Sequence, residues 1–207
     1  MTYENRLQQV KRDTALVEEW LKSFPRRRGR LGAIYGSART SGGSTAFRAA
    51  NALGMELANR GWTVATGGGP GIMEAVQSGV GECQSMAVRT DIPGEEIDSR
   101  LCPSQVITLE TFMLRKLLLT EEMDAIWVFP GGVGTMDELF EVLVLQDTNR
   151  ISNYPKVLVD PEDGGYWKCW RTFIFDHLID KGFVDADIMD NIFFANGVDD
   201  ALNVIGN

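Results

Sequence analysis

Apolar and polar residues change rhythm many times along this chain, and each change marks an element. The opening stretch "ENRLQQVKRDTALVEEWLKSF" brings Leu7, Val10, Val17, Leu21 and Phe24 onto one stripe at helical spacing. It predicts an N-terminal helix that either caps the core or meets a partner subunit. After Pro25, "RLGAIYGSA" reads as a buried strand ending at Gly36, and "STAFRAANALGMELANRG" as a helix closing at Gly61. "WTVATGGG" repeats the strand-to-glycine theme, and "PGIMEAVQSGVG" predicts a helix with Pro70 in its first turn. "SMAVRT" and "QVITL" read as strands on either side of an irregular stretch, 91–105. "ETFMLRKLLLTEEM" predicts a largely buried helix, "DAIWVFPGG" a strongly apolar strand, and "TMDELFEVLVLQDTN" another helix. "PKVLVD" (strand), "YWKCWRTFIFDHLIDKG" (helix), "NIFFA" (strand) and "DDALNVIG" (helix) complete the series.

Strands alternating with helices predict the α/β class: a doubly wound, Rossmann-like parallel sheet flanked by helices. No linker or repeat divides the pattern. All 207 residues are therefore expected to form a single domain, with 1–25 as an N-terminal helix extension.

Composition narrows the partners more than the fold. With 29 acids against 20 bases the net charge is -9, which argues against nucleic acid as a partner. The one basic run, "RRRGR" at 26–30, reads as a solvated helix end and turn. Cys83, Cys102 and Cys169 form no CxxC pair and suit free thiols in a reducing compartment. The charged first twenty residues hold no apolar signal core and no stretch approaches a membrane span, so a cytoplasmic protein with no membrane partner is expected.

Ligands of such sheets bind beyond the carboxyl ends of the strands, near the switch in strand order. Here strands end in glycine at Gly36, at Gly67 to Gly69 and at Gly131 to Gly134. Glycine lets the backbone approach a ligand closely, and a following helix start offers N–H groups to an anion. Together these turns suggest a phosphate site. They do not spell a dinucleotide fingerprint, since "GGVGTMDE" has Asp137 where the last glycine of G-x-G-x-x-G belongs. No G-K-[ST] occurs, which excludes a P-loop.

Two charged constellations stand out. Thr135-Met136-Asp137-Glu138 fits T-x-x-E, so Thr135 could cap a helix with Glu138 reaching back, alongside or instead of a functional role. Arg115 and Lys116 sit among Phe112, Met113, Leu114, Leu117, Leu118 and Leu119, with no acid three or four positions away. Cations in a half-buried apolar helix need an anion from elsewhere, either a distant carboxylate or a ligand phosphate.

"GGGPGIMEA" (67–75), "FMLRK" (112–116) and "PGGVGTMDE" (130–138), in this order and spacing, resemble the Lonely Guy family, whose members were often mislabelled lysine decarboxylases. The similarity runs from about Leu31 to Asp147. It implies a phosphoribohydrolase that cleaves the N-glycosidic bond of a nucleoside 5'-monophosphate to free base and ribose 5-phosphate, without metal or cofactor. The resemblance assigns Arg115 and Glu138 as the catalytic pair. It places Lys116, Gly131, Gly132, Val133, Gly134, Thr135, Met136 and Asp137 along the nucleotide, with Glu95 of "IPGEE" as a further substrate contact. Gly36, Ser37, Gly68 and Gly69 join them as substrate-binding positions, with Arg39 close by. "FMLRK" departs from the M-H-x-R-K of many plant members, which bears on the preferred base. Family members also imply a homodimer or higher homo-oligomer with the site near the interface.

The chemistry suits these residues. Glycosidic cleavage passes through an oxocarbenium-like sugar, which an ionised carboxylate can stabilise while accepting a proton from water. A helix start and Arg115 both favour the anion, so Glu138 is expected to be charged at neutral pH. His177 shares a helical face with Trp170, Ile174 and Leu178 and is expected to be structural, as are Trp167 and Trp170. The rival reading is a non-catalytic carrier of a nucleotide or molybdenum cofactor, which needs the glycine cradle but not the carboxylate. A lysine decarboxylase would need a pyridoxal phosphate lysine, and Lys116 has no such motif.

Overall fold

A computed structural model describes residues 2–23, 29–81, 84–90, 101, 103–161 and 165–206. Seven strands form one all-parallel sheet: β1 (Leu31–Tyr35), β2 (Thr63–Thr66), β3 (Ser85–Thr90), β4 (Val106–Leu109), β5 (Ala125–Val128), β6 (Lys156–Val159) and β7 (Ile192–Ala195). Their spatial order is β4-β3-β2-β1-β5-β6-β7, so the direction of winding reverses between β1 and β5. That is the doubly wound arrangement, with its ligand crevice expected above the β1–β5 pair. The register there sets Gly32 beside Ala125 and Tyr35 beside Val128.

β1, β3, β5 and β6 are buried throughout because helices cover both their faces, whereas the edge strands β4 and β7 keep exposed positions. Along β1 the period of two sends Leu31, Ala33 and Tyr35 into one core and Ile34 into the other. The first core is closed by α1 (Tyr3–Ser23), α4 (Phe112–Thr120), α5 (Val133–Asp147) and α6 (Gly165–Phe173). The second is closed by α2 (Thr45–Asn59), α3 (Ile72–Val80) and α7 (Val198–Asn203). Trp127 fills the second core against Trp62, ring centroids 5.2 Å apart and nearly perpendicular. Gly32 is required beside it, because a Cβ there would run into the Trp127 ring.

Three local expectations need correcting. Of the stripe read on α1, Val17 is buried while Leu7 and Leu21 are about half exposed; Asp13, Val17 and Trp20 form the inward face instead, and Phe24 lies outside the described residues. Trp20 offers more area for burial than any residue of the stripe, and its indole N–H donates to the Ser104 carbonyl at 3.1 Å. Pro70 does not open α3. Gly71 does, at φ +70°, because the turn passes against the Ser37 carbonyl and leaves no room for a Cβ. His177 is exposed rather than packed with Trp170 and Ile174, since α6 continues as a π turn (Ile174–Ile179) that rotates the face by about a residue. Trp167 and Trp170 are buried, as expected.

Candidate active site

At the carboxyl ends of β1 and β5, a cavity of about 540 Å³ opens over the switch in strand order. Gly36, Ser37, Ala38 and Arg39 form one wall as the chain leaves β1. The first turn of α5 forms another, through Gly132, Val133, Gly134, Thr135, Asp137 and Glu138. α4 supplies Phe112, Arg115 and Lys116, and Met73 of α3 closes the remaining side.

The start of α5 decides between the two readings of T-x-x-E. Gly132 is the N-cap and no side chain caps the helix, so Thr135 and Glu138 do not form a capping box. Thr135, the third residue of the helix, is buried and pressed against Gly131, where a Cβ would collide with the threonine hydroxyl. The glycines thus serve close packing at 131 and an open backbone at 132 and 134. The uncapped N–H groups of this turn, at the positive end of a fifteen-residue helix, suit an anion.

Glu138 turns inward instead, and its Oε1 lies 3.6 Å from Nη2 of Arg115. Burial pushes its carboxyl up to about 7, against the pull of Arg115; Asp137 raises it further, Lys116 lowers it and Glu141 raises it. The expectation of a fully ionised Glu138 at neutral pH is therefore corrected. A helix terminus contributes about 0.3–1 kcal/mol, less than the loss of water from a nearly enclosed carboxylate. Close to pH 7 the group is shared between its two forms.

The cations find their anions on α5, twenty-odd residues away in sequence. Lys116 donates to Asp137 at 2.8 Å and reaches Glu141 at 2.7 Å. Burial pulls its pKa down, but the bonds to Asp137 and Glu141 outweigh this and the net shift is upward. Arg115 lies over the Phe112 ring, 5.8 Å from its centroid, and its Nε is buried without a hydrogen-bond partner. Gly67 passes so close behind the guanidinium that any Cβ would touch it.

The predicted residues fall into three groups. Gly36, Ser37, Lys116, Gly132, Val133, Gly134, Thr135 and Asp137 line the cavity with Arg115 and Glu138. Gly68 and Gly69 are buried, Gly68 against the Arg89 side chain, Gly131 sits under Thr135, and Met136 packs against the core. Glu95 lies outside the described residues. Ala38, Met73, Phe112 and Glu141 were missed. Of these, Phe112 and Glu141 carried a signal, being one turn from Arg115 and Asp137 respectively. Tyr166 was also missed: from the start of α6 its hydroxyl donates to the Gly131 carbonyl. A larger cleft, about 710 Å³, surrounds the buried Lys156 at the opposite end of the sheet. That lysine donates to Gln146 at 2.5 Å and Asn153 at 3.0 Å.

Fold and cavity define the class: a doubly wound α/β protein whose switch point carries a buried arginine–carboxylate pair beneath an open helix start. Comparison with known proteins makes this specific. Residues 55–205 match the family model described as "Possible lysine decarboxylase", and the chain belongs to that family. It is 33% identical over 154 residues to the cytokinin riboside 5'-monophosphate phosphoribohydrolase of Mycobacterium tuberculosis, covering 72% of this chain and 80% of the relative. An Arabidopsis thaliana enzyme of the same description is 32% identical over 158 residues, covering 71% and 69%. Among solved structures, the molybdenum cofactor carrier protein of Chlamydomonas reinhardtii superposes with a TM-score of 0.58 at 19% identity, over 86% of this chain and 96% of that one. The molybdenum cofactor binding protein of Rippkaea orientalis gives 0.57 at 17% identity, over 87% and 97%. At such identities these two speak for the fold alone.

Proposed function

We propose that this chain hydrolyses the N-glycosidic bond of a nucleoside 5'-monophosphate, of the AMP or cytokinin riboside type, to free base and ribose 5-phosphate. The observation that carries this reading is the Arg115–Glu138 pair, 3.6 Å apart at the cavity wall, with the uncapped start of α5 beside it. The 5'-phosphate would rest on the N–H groups of Gly132 to Thr135, with Lys116 adding charge. That leaves the ribose facing Glu138.

As the C1'–N bond lengthens, positive charge develops on the sugar, and the ionised Glu138 stabilises it. The carboxylate takes a proton from the water whose oxygen bonds to C1', then returns that proton to the departing base. The electron pair of the broken bond leaves with the base. A carboxyl that titrates near 7 suits both transfers, because its anion is basic enough to take the water proton and its acid form is strong enough to hand that proton on. Arg115 keeps Glu138 ionised in part and orients the nucleotide.

A carrier of a nucleotide or molybdenum cofactor would need the glycine-rich start of α5 but gains nothing from a buried carboxylate there. A lysine decarboxylase is poorly served too. A Schiff-base lysine works with a depressed pKa, whereas Lys116 is held up by Asp137 and Glu141. Incubation with AMP, CMP, GMP, UMP and prenylated AMP, followed by chromatography for free base, tests the reading. Release of adenine or its prenylated form is expected; no base from any nucleotide refutes it.

We further propose a cytoplasmic homodimer or higher homo-oligomer. The oligomer is supported by the exposed apolar side chains of Phe112 (54% exposed) and Val133 (87%) at the cavity rim, with Met113 (58%) next to Phe112 on α4. Light scattering of the purified chain checks the mass.

A further inference from the structure

The sequence leaves α1 either to cap the core or to meet a partner subunit; in the structure it also holds the start of α4, the helix that carries Arg115. Asp13 points inward from α1 and is fully buried, at a position where an apolar side chain would serve packing better. Its Oδ1 accepts the Glu110 N–H at 3.0 Å. Its Oδ2 accepts both the Thr111 N–H at 2.8 Å and the Thr111 hydroxyl at 2.6 Å. Thr111 is the N-cap of α4 and makes no side-chain cap of its own. Asp13 thus anchors, from outside, the N-cap residue of the helix that bears Arg115 and Lys116. Beside it, Arg12 holds the Glu110 carboxylate through two bonds of 3.0 and 2.8 Å.

The far end of α4 is fixed as well. Tyr35 donates to the Leu119 carbonyl at 2.5 Å, and Tyr154 to the Thr120 carbonyl at 2.8 Å. A nine-residue helix is not stable alone, so its placement comes from these clamps and its packing. Arg115 lies one turn from Thr111, and its contact with Glu138 is 3.6 Å. A slip of about 1 Å along α4 breaks that contact, and misplacements of this size cost rates of about 10²-fold.

We propose that Asp13 is a positioning residue for the reaction: by anchoring the N-cap of α4 to α1, it sets Arg115 at its distance from Glu138. The proposal rests on the hydrolase reading, and its test separates the two. Asp13→Asn and the milder Thr111→Val are compared with the full-length wild-type chain on whichever nucleotide that chain hydrolyses. In Asp13→Asn, kcat falls about 10- to 100-fold with a smaller change in KM. The midpoint of the rate's rise with pH moves upward, because Glu138 loses the cation that holds it down and keeps Asp137 and Glu141 beside it. Amide exchange across residues 112–120 speeds by about 10-fold relative to α2. Thr111→Val moves all of these in the same direction by less, and decides the matter if Asp13→Asn does not fold.

A fall in Tm with kcat, pH midpoint and α4 exchange unchanged overturns the proposal and leaves Asp13 as a fold contact only. If the wild-type chain releases base from no nucleotide, the hydrolase reading fails; unchanged α4 exchange in both variants then still overturns the positioning role.

Discussion

Glu138→Gln should trade activity for stability, and the structure sets the size of both effects. The carboxyl is raised from its usual 4.5 to about 7 because it is buried, with Arg115 only partly offsetting the lost hydration. A raised acid binds its proton more tightly in the native state than in the unfolded chain. The penalty is therefore absent below about pH 4.5, grows as pH rises, and is complete above pH 7. At about 1.36 kcal/mol per pH unit, the ionised form costs the native state about 3 kcal/mol. Gln keeps the shape and cannot ionise. Urea unfolding at pH 5 and pH 8 should show the variant gaining about 2.5 kcal/mol on the wild type between the two conditions, since part of the penalty is already present at pH 5. Comparing two pH values cancels the constant cost of the buried amide. Base release should fall about 10²–10⁴-fold, and the roughly tenfold rise in wild-type rate from pH 6 to 8 should vanish. A variant whose stability relative to wild type does not change with pH refutes the buried-carboxylate account. One that hydrolyses at the wild-type rate refutes the catalytic role.

Two further substitutions separate the cations from the glycines. Lys116→Met removes the charge held between Asp137 and Glu141, so Glu138 should titrate still higher and the rate's rise with pH should shift to more alkaline values; the pH profile of base release checks this. KM should also rise about 10-fold or more, if a phosphate contact worth about 1.5–3 kcal/mol is lost. Gly67→Ala places a methyl group against the Arg115 guanidinium and 2.9 Å from the Met73 sulfur. It should lower kcat by at least about 10-fold while Tm falls by only a few degrees, measured by initial rates and thermal melting.

Most of the fold was legible because parallel strands buried on both faces write continuous apolar runs. β1, β3, β5 and β6 match "RLGAIYGSA", "SMAVRT", "DAIWVFPGG" and "PKVLVD" closely. Strand order was not written there; it follows from how helices pack across the sheet. The site was legible in part for a local reason: Arg115 and Lys116 had no acid within a helical turn, so a distant anion was required. Which anion depended on α4 lying against α5, a contact invisible to spacing. The inward face of α1 was misread because Asp13, a charged residue, is buried while Leu7 and Leu21 are not. Periodicity weighs side chains by polarity and has no knowledge of three donors waiting on another element.

The protonation of Glu138 shows the same limit at the scale of one atom. The helix start and the nearby arginine could be read locally, and both favour the anion. Loss of water works the other way and depends on the whole surface that encloses the carboxyl; Arg115 opposes it, and Asp137 and Glu141 reinforce it. Summed over that surface, desolvation wins and brings the group to the pH at which it can both take and give a proton. The clamps on α4 therefore bear on chemistry as well as on stability. Arg115 nearer to Glu138 would leave the carboxylate too weak a base, and Arg115 farther away would leave it protonated. A helix fixed at Asp13, Tyr35 and Tyr154 keeps the carboxyl between those limits.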